Sequence, residues 1–467
     1  MTTLTASPAR QLITRRLAEY AVNLGFADLP VATVEKTKQA ILDLVGIAIR
    51  ASVAGESSDV VRQVVDGLGG AGSATAIGLG PRYAPHYAAL LNGTFAHTLD
   101  FDDTHEGGSI HPGAPTIPAV LAIAEETRAS GAGVLAAIVA GYDATVRIAE
   151  AADPAAHYDR GFHPTATCGT FGATAAVANV VHAKADVLEN AFGINGSQAA
   201  GSLQFLENGA WNKRIHTGLT AHNAILAMRF AQAGAVGARH ALEGRSGFFR
   251  GYTDGADPEH VVRTLGERFA IDETAFKPYP SCRYSHAAID LIREIAAESN
   301  LRPEDVSAIR IGLPRKGLDL IGVPEDAKRA PQSIVDGQFS MFFLAAVALL
   351  HGRMTWNDYK LLGDEAVVRT IERIEVRLDP EIEARFPTMA ASVEIDTNGT
   401  TTRRINWTPK GEPDKPLSWE EVEAKFLSLA SAVYDDAHCA RIIETTRRLE
   451  RIADVTELTS LLGKGAR

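Results

Sequence analysis

Residues 34–48 read VEKTKQAILDLVGIA, and the apolar members Ile41, Leu44, Val45 and Ala48 recur every three or four positions. That spacing lines one face of an α-helix, whereas a strand would need strict alternation. Working outward, the same period runs through residues 134–148, 171–182, 187–203 and 219–233, which predicts helix over most of the first 270 residues. Asp186 with Glu189 has the spacing of a capping box ahead of the third of these. The segments are rich in Ala and Gly, and small side chains let helix axes approach closely, so a tight bundle is expected.

The period changes after about residue 270. Ile309, Ile311 and Leu313 alternate, as do Ile374, Val376 and Leu378, and residues 393–405 contain Asn398-Gly399, a strong hairpin signal. From Ser418, which forms a capping box with Glu421, helical spacing returns. The expected fold is therefore mostly α. A large all-helical domain spans 1–270, the C-terminal helices of 411–467 pack back on it, and a smaller α+β domain spans 271–410.

The chain has 467 residues, 46% of them apolar, enough for a large buried core. Its net charge of -11 arises from 57 acidic and 46 basic side chains with no long single-sign block, so nucleic acid is not an expected partner. An anionic small molecule is not excluded, because a few cations in a cleft reverse the local field. Cys168, Cys282 and Cys439 are too few and too dispersed for a disulfide framework or a CxxC metal site. The start, MTTLTASPARQLITRR, lacks the apolar run of a secretory signal, and the apolar run 339–350 is too short to span a bilayer and reads as a buried helix. A cytoplasmic location and no membrane partner are expected, which leaves the N-x-[ST] matches at Asn195 and Asn398 without weight. The run Gly67–Gly72 imitates a dinucleotide-binding loop, but Val60, Val61, Val64 and Val65 before it are spaced for a helix, so it reads as a helix stop and a loop. No Walker lysine motif, HExxH or G-x-S-x-G elbow is present.

Chemistry-bearing residues gather in four places. The densest is HTLDFDDTH at 97–105, followed by SIHPGAP at 109–115. A carboxylate beside an imidazole fixes its tautomer and raises its basicity, as general acid-base catalysis near neutral pH needs. Helix caps and a core histidine are the plain alternative; a metal site is a third, though no spacing matches a known ligand pattern. GFHPTATCGTFGA at 161–173 places His163 at the entry of a Gly- and Ala-rich helix whose backbone amides could hold a carboxylate. WNKRIHTG at 211–218 sets Lys213, Arg214 and His216 just before a helix, and FKPYPSCRYSH at 276–286 places Lys277 and Arg283 on a proline-stiffened junction where helical period gives way to strands. Removing a proton beside a carboxylate develops enediolate-like charge, for which Lys213, Lys277 and Arg283 are the candidate stabilisers.

These four blocks, in this order, resemble the signature segments of the MmgE/PrpD family, which includes 2-methylcitrate dehydratase, cis-aconitate decarboxylase and iminodisuccinate epimerase. The resemblance implies a helical domain joined to an α+β lid with the active site between them, no metal or organic cofactor, and a homo-oligomer. By similarity to the decarboxylase branch, pocket positions fall on Asp100, Thr104, His111, His163, Lys213 and Lys277. Two departures stand out: Cys282 occupies the place of a pocket histidine, and one extra residue separates Thr104 from His111. Overall the resemblance is greatest to the epimerase branch, which implies α-proton abstraction and return on an iminodisuccinate-like dicarboxylate. Lys277 paired with His111 or Tyr142 would be the two proton carriers, Asp100 would assist, and Thr104, His163, Lys213, His216 and Arg283 would bind substrate. A dehydratase- or decarboxylase-type lyase is the alternative reading, and a non-catalytic helical binding protein is the alternative of another class.

Overall fold

The computed structural model describes residues 13–464 except 208 and 398, and no side chain for Glu56. The chain divides into two compact units, one running to Ala275 and resuming at Ser418, the other comprising Phe276–Leu417.

The first unit is mostly helical, but it is not the expected all-helical domain, because it also holds a two-stranded sheet. Its centre is built by helices Pro85–Thr98, Gly113–Thr127, Gly131–Ala151, Gly169–Val180 and Asn212–Gln232, which pack on one another. Glycine sets the closest approach: a Cβ on Gly218 would meet the Leu90 carbonyl at 2.3 Å and Thr94 Oγ1 at 2.3 Å, so the 212–232 helix can lie directly on 85–98 only without one. Val31–Ala54 contains the periodic stretch 34–48, with Ile41, Leu44, Val45 and Ala48 all buried. Against it packs Trp419–Ala430 from the C-terminal segment, whose start is the expected capping box: Ser418 Oγ accepts from Glu421 N at 3.2 Å and Glu421 Oε2 from Ser418 N at 2.7 Å. One described helix, Gly131–Ala151, is long and apolar enough to cross a membrane, but it is 89% buried within the protein, as a core helix is.

Four local expectations need correction. The helix expected over 187–203 runs from Ala185 to Asn195 and gives way to a 3-10 turn, where the Asn195 amide bonds the Thr170 carbonyl at 3.1 Å and Thr174 Oγ1 at 2.8 Å instead of continuing outward. Because it starts at Ala185 behind Lys184, Asp186 lies inside the first turn, and no side-chain capping bond forms there. The helix expected from 219 already begins at Asn212, so Lys213 and His216 project from its first turns rather than from a preceding loop. Gly67 does end a helix, but the chain then forms strand β1 (Ala71–Thr75), paired antiparallel with β2 (Arg82–Tyr83).

The second unit carries a four-stranded sheet in the order β4 (Ile374–Leu378), β3 (Val306–Leu313), β5 (Ala391–Thr397), β6 (Thr400–Asn406). β3 and β4 are parallel, the other pairs antiparallel. The alternating Ile309, Ile311 and Leu313 are all buried, with Ile309 opposite Ile374 and Ile311 opposite Val376. β5 and β6 form the expected hairpin with Gly399 at φ 86, while Asn398 of that turn lies outside the described residues. The apolar run 339–350 forms the buried helix Met341–His351.

Candidate active site

Between helices Pro85–Thr98 and Gly113–Thr127 the chain makes a mostly buried loop that carries the expected site residues Asp100, Thr104 and His111. It is tied on two sides. Thr104 and Ala275 exchange backbone hydrogen bonds of 2.9 and 2.7 Å, and Lys425 Nζ donates to the Phe101 carbonyl at 2.9 Å. Its glycine-rich tip closes as a tight turn through paired backbone bonds between His105 and Ile110.

Asp100, just past the helix end, adopts a left-handed φ of 52°, a conformation Asp tolerates better than most residues. Its Oδ1 accepts from Lys213 Nζ at 2.7 Å. Burial works against the Lys213 charge, but the Asp100 carboxylate more than offsets it, and the ammonium is held above its ordinary range.

Asp103 acts at two levels. Its carboxylate accepts from Tyr142 OH at 2.7 Å and from Gly113 N at 3.2 Å, and its backbone carbonyl lies 2.8 Å from His111 Nδ1. Burial pushes the Asp103 carboxyl up to about 7, opposed by the Tyr142 hydrogen bond and reinforced by Asp102 and Asp43. Gly113 is required here, since a Cβ would meet Tyr142 OH at 2.4 Å. A carbonyl only accepts, so His111 Nδ1 carries a proton and, in the neutral ring, Nε2 keeps the lone pair. The His111 backbone is seated separately by its N–H donating to Thr165 Oγ1 at 3.1 Å.

Three further imidazoles lie close by. His97 from the 85–98 helix places Nδ1 2.7 Å from Asp102 Oδ2, and its ring meets that of His111 edge-on at 4.7 Å and stacks toward His163 at 6.0 Å. His163 and His216 bring their Nδ1 atoms within 3.3 Å. Burial, followed by the neighbouring His97, lowers His216 to about 4; burial, then His97, Lys213, His216 and His111, holds His163 well below the ordinary histidine range. Both are neutral near pH 7. In this cluster the side chains of His111, Lys213 and Asp100 keep 16%, 26% and 13% exposure, and Thr104 and His216 are also partly exposed.

The structure thus brings together Asp100, Thr104, His111, Lys213, His163 and His216 in one unit. Tyr142 is completely buried and its hydroxyl proton is committed to Asp103, which makes it a brace for the loop and not a group facing substrate. Lys277 and Arg283 belong to the second unit. Lys277 is 2% exposed on a turn whose Pro280 carbonyl accepts from Tyr359 OH at 2.6 Å. Arg283, expected to bind substrate, is instead enclosed by Glu412, the Lys410 carbonyl at 3.1 Å and His286 Nδ1 at 2.7 Å, so its charge is already matched. Sequence reasoning does not distinguish the His97–Asp102 pair: its five-residue separation matches no helix or strand period, and only the turn after the helix aligns the two.

Ligand atoms of His97, Asp102 and His111 lie within 4.8 Å of one another. The 2.7 Å between His97 and Asp102 is a hydrogen bond, whereas two ligands of a tetrahedral zinc stand about 3.3 Å apart. A second group, His105, Glu150 and Glu273, has both carboxylates already paired with Arg268.

Residues 15–261 match the MmgE/PrpD N-terminal domain, and residues 279–451 match the MmgE/PrpD C-terminal domain. The chain is 26% identical to the cis-aconitate decarboxylase-like protein oryM of Aspergillus oryzae over 98% of its own length and 99% of that protein's. It is 26% identical to the cis-aconitate decarboxylase of Aspergillus terreus, over 98% of this chain and 97% of the relative. The human cis-aconitate decarboxylase matches at 26% identity over 82% of this chain and 80% of that protein. These names denote lyases and lend the expected epimerase no support.

Proposed function

Since the chain belongs to the MmgE/PrpD family, we propose that it is a cofactor-independent lyase of small polycarboxylates, moving a proton at a carbon beside a carboxylate as water or carbon dioxide is lost. The observation that carries this reading is the tautomer of His111. With Nδ1–H on the Asp103 carbonyl, Nε2 is left basic in a neutral ring, as a proton acceptor or its conjugate donor must be. Beside it Lys213 offers a carboxylate-binding cation, kept charged by Asp100. His163 and His216, neutral by burial, add N–H donors without further positive charge.

In this reading Lys213 takes a substrate carboxylate and offsets the charge that develops as the enediolate-like intermediate forms. His111 Nε2 then removes the α-proton in a dehydration, or His111 in its protonated form returns one to carbon after decarboxylation. Lys277 is proposed as the second proton carrier, on the strength of the family resemblance. The test is to incubate the full chain with 2-methylcitrate, cis-aconitate or iminodisuccinate in deuterated water and follow products by NMR. Carbon dioxide release or a new double bond supports a lyase. Isomerisation with α-deuterium uptake and no loss of a group would replace it by an epimerase, and no turnover of any of the three would defeat the reading.

A further inference from the structure

Asp102 and His97 have no role in the proposed reaction, yet they form a fully enclosed polar pair beside His111. Both side chains are 0% exposed, and the 2.7 Å bond between them joins the last turn of helix Pro85–Thr98 to the active-site loop. His97 Nδ1 must donate, because an ionised carboxylate only accepts. Its Nε2 is then buried without a hydrogen-bond partner among the described residues. A buried polar atom left unsatisfied is unfavourable, and packing alone gives no reason for an imidazole there.

The reason lies at Asp102 Oδ2. The same oxygen that receives His97 stands 3.5 Å from His111 Nδ1, the nitrogen that donates to the Asp103 carbonyl. We infer that Asp102 and His97 are positioning residues for His111: Asp102 supplies the negative charge that stabilises the protonated ring, and His97 aims and partly neutralises that carboxylate. This rests on the reading of His111 as the proton carrier. The Asp103 carbonyl fixes the tautomer, whereas Asp102 controls how readily Nε2 accepts a second proton. The balance is a single proton: it leaves the substrate carbon for His111 Nε2, the Nδ1 proton stays on His111, and Asp102 remains ionised. Among the described residues, charged or titratable groups near His111 include Asp103 on its own loop, His163 from the segment after Gly161, and Lys213 with Asp100 beyond it. None of them is altered by the changes below.

The test reads His111 without substrate. In full-length protein labelled with 15N-histidine, the His111 signals are assigned by their loss in His111→Gln, and the ring is titrated. Asp102→Asn is expected to move the His111 midpoint down by about one unit or more, because the cation loses its carboxylate. His97→Leu is expected to move it up, because Asp102 loses the donor that partly neutralises it. Opposite shifts cannot come from general loosening, and if Asp102→Asn does not fold, the His97→Leu shift decides alone. With substrate, the acid limb of kcat/KM should follow the same displacements, with kcat falling at least ~10-fold in Asp102→Asn, KM nearly unchanged, and partial recovery in Asp102→Glu. An unmoved His111 midpoint in folded variants, or shifts of the same sign in both, would overturn the inference. If the NMR shifts appear but the wild-type chain turns over no polycarboxylate, the proposed function fails and the Asp102–His97 arrangement stands.

Discussion

Lys425 and Phe101, 324 residues apart in the chain, meet where the Lys425 ammonium donates to the Phe101 backbone carbonyl at 2.9 Å. The same ammonium pairs with Asp43 Oδ1 at 2.6 Å and sits 3.8 Å from the Phe101 ring centroid, all of it buried. The C-terminal segment therefore holds the loop between Asp100 and Asp102 from behind. Lys425→Met would leave the Asp43 carboxylate buried without its cation and is expected to destabilise the chain by about 3–5 kcal/mol. Chemical denaturation of both proteins measures this; a loss below about 1 kcal/mol would mean that Asp43 finds other compensation.

Tyr142→Phe separates a brace from a proton carrier. The change leaves the buried Asp103 carboxylate with only its bond from Gly113 N, and a loss of about 1–3 kcal/mol in stability is expected. Turnover should fall less than ~10-fold, since the hydroxyl is not open to substrate. A 10²-fold or larger drop in kcat with unchanged stability would restore Tyr142 as a catalytic group.

Lys213→Met removes the cation that receives a carboxylate. An increase in KM of about 10- to 100-fold is expected, corresponding to roughly 1.5–3 kcal/mol for a charge-assisted hydrogen bond. Steady-state kinetics across a substrate series decides it. A fall in kcat alone would move the role of Lys213 from binding to the chemical step.

His157 predicts an acid limb to stability. It is fully buried, bonded through Nε2 to Thr167 Oγ1 at 2.8 Å and through Nδ1 to the Tyr252 carbonyl at 3.2 Å, and burial lowers it to about 4. The unfolded chain binds this proton near 6.5. Stability is therefore undiminished above about pH 6.5, declines as pH falls toward 4 and levels off below that, a loss of about 3 kcal/mol from this residue. His216, also lowered to about 4, acts in the same direction. Urea melts at pH 7.5, 5.5 and 4.5 should show a shallower decline in His157→Gln; an identical slope would remove His157 as its source.

Much of the fold is legible from local spacing. The helices around Ile41 and Val139, the strands at Ile309 and Ile374, and the Ser418 capping box follow from patterns a few residues long, because burial of one face imposes a period on the chain. Helix limits were less legible: the 212–232 helix absorbs the polar run 212–218, where no apolar period marks it, because Gly218 lets it close onto the 85–98 helix.

The same division holds for the candidate site. From sequence alone come its residue types and the neighbourhood of Asp100, His111, His163 and Lys213, since acids, imidazoles and a lysine crowd into short blocks that a plain core would not need. Tertiary structure alone decides their roles. It seals Tyr142 against Asp103, matches Arg283 with Glu412, leaves the His111 and Lys213 side chains partly exposed, and sets Asp102 between two imidazoles. Hydrogen bonds and charge interactions depend on distances of a few ångströms, and those are fixed by packing between segments hundreds of residues apart, such as the one that brings Lys425 to Phe101.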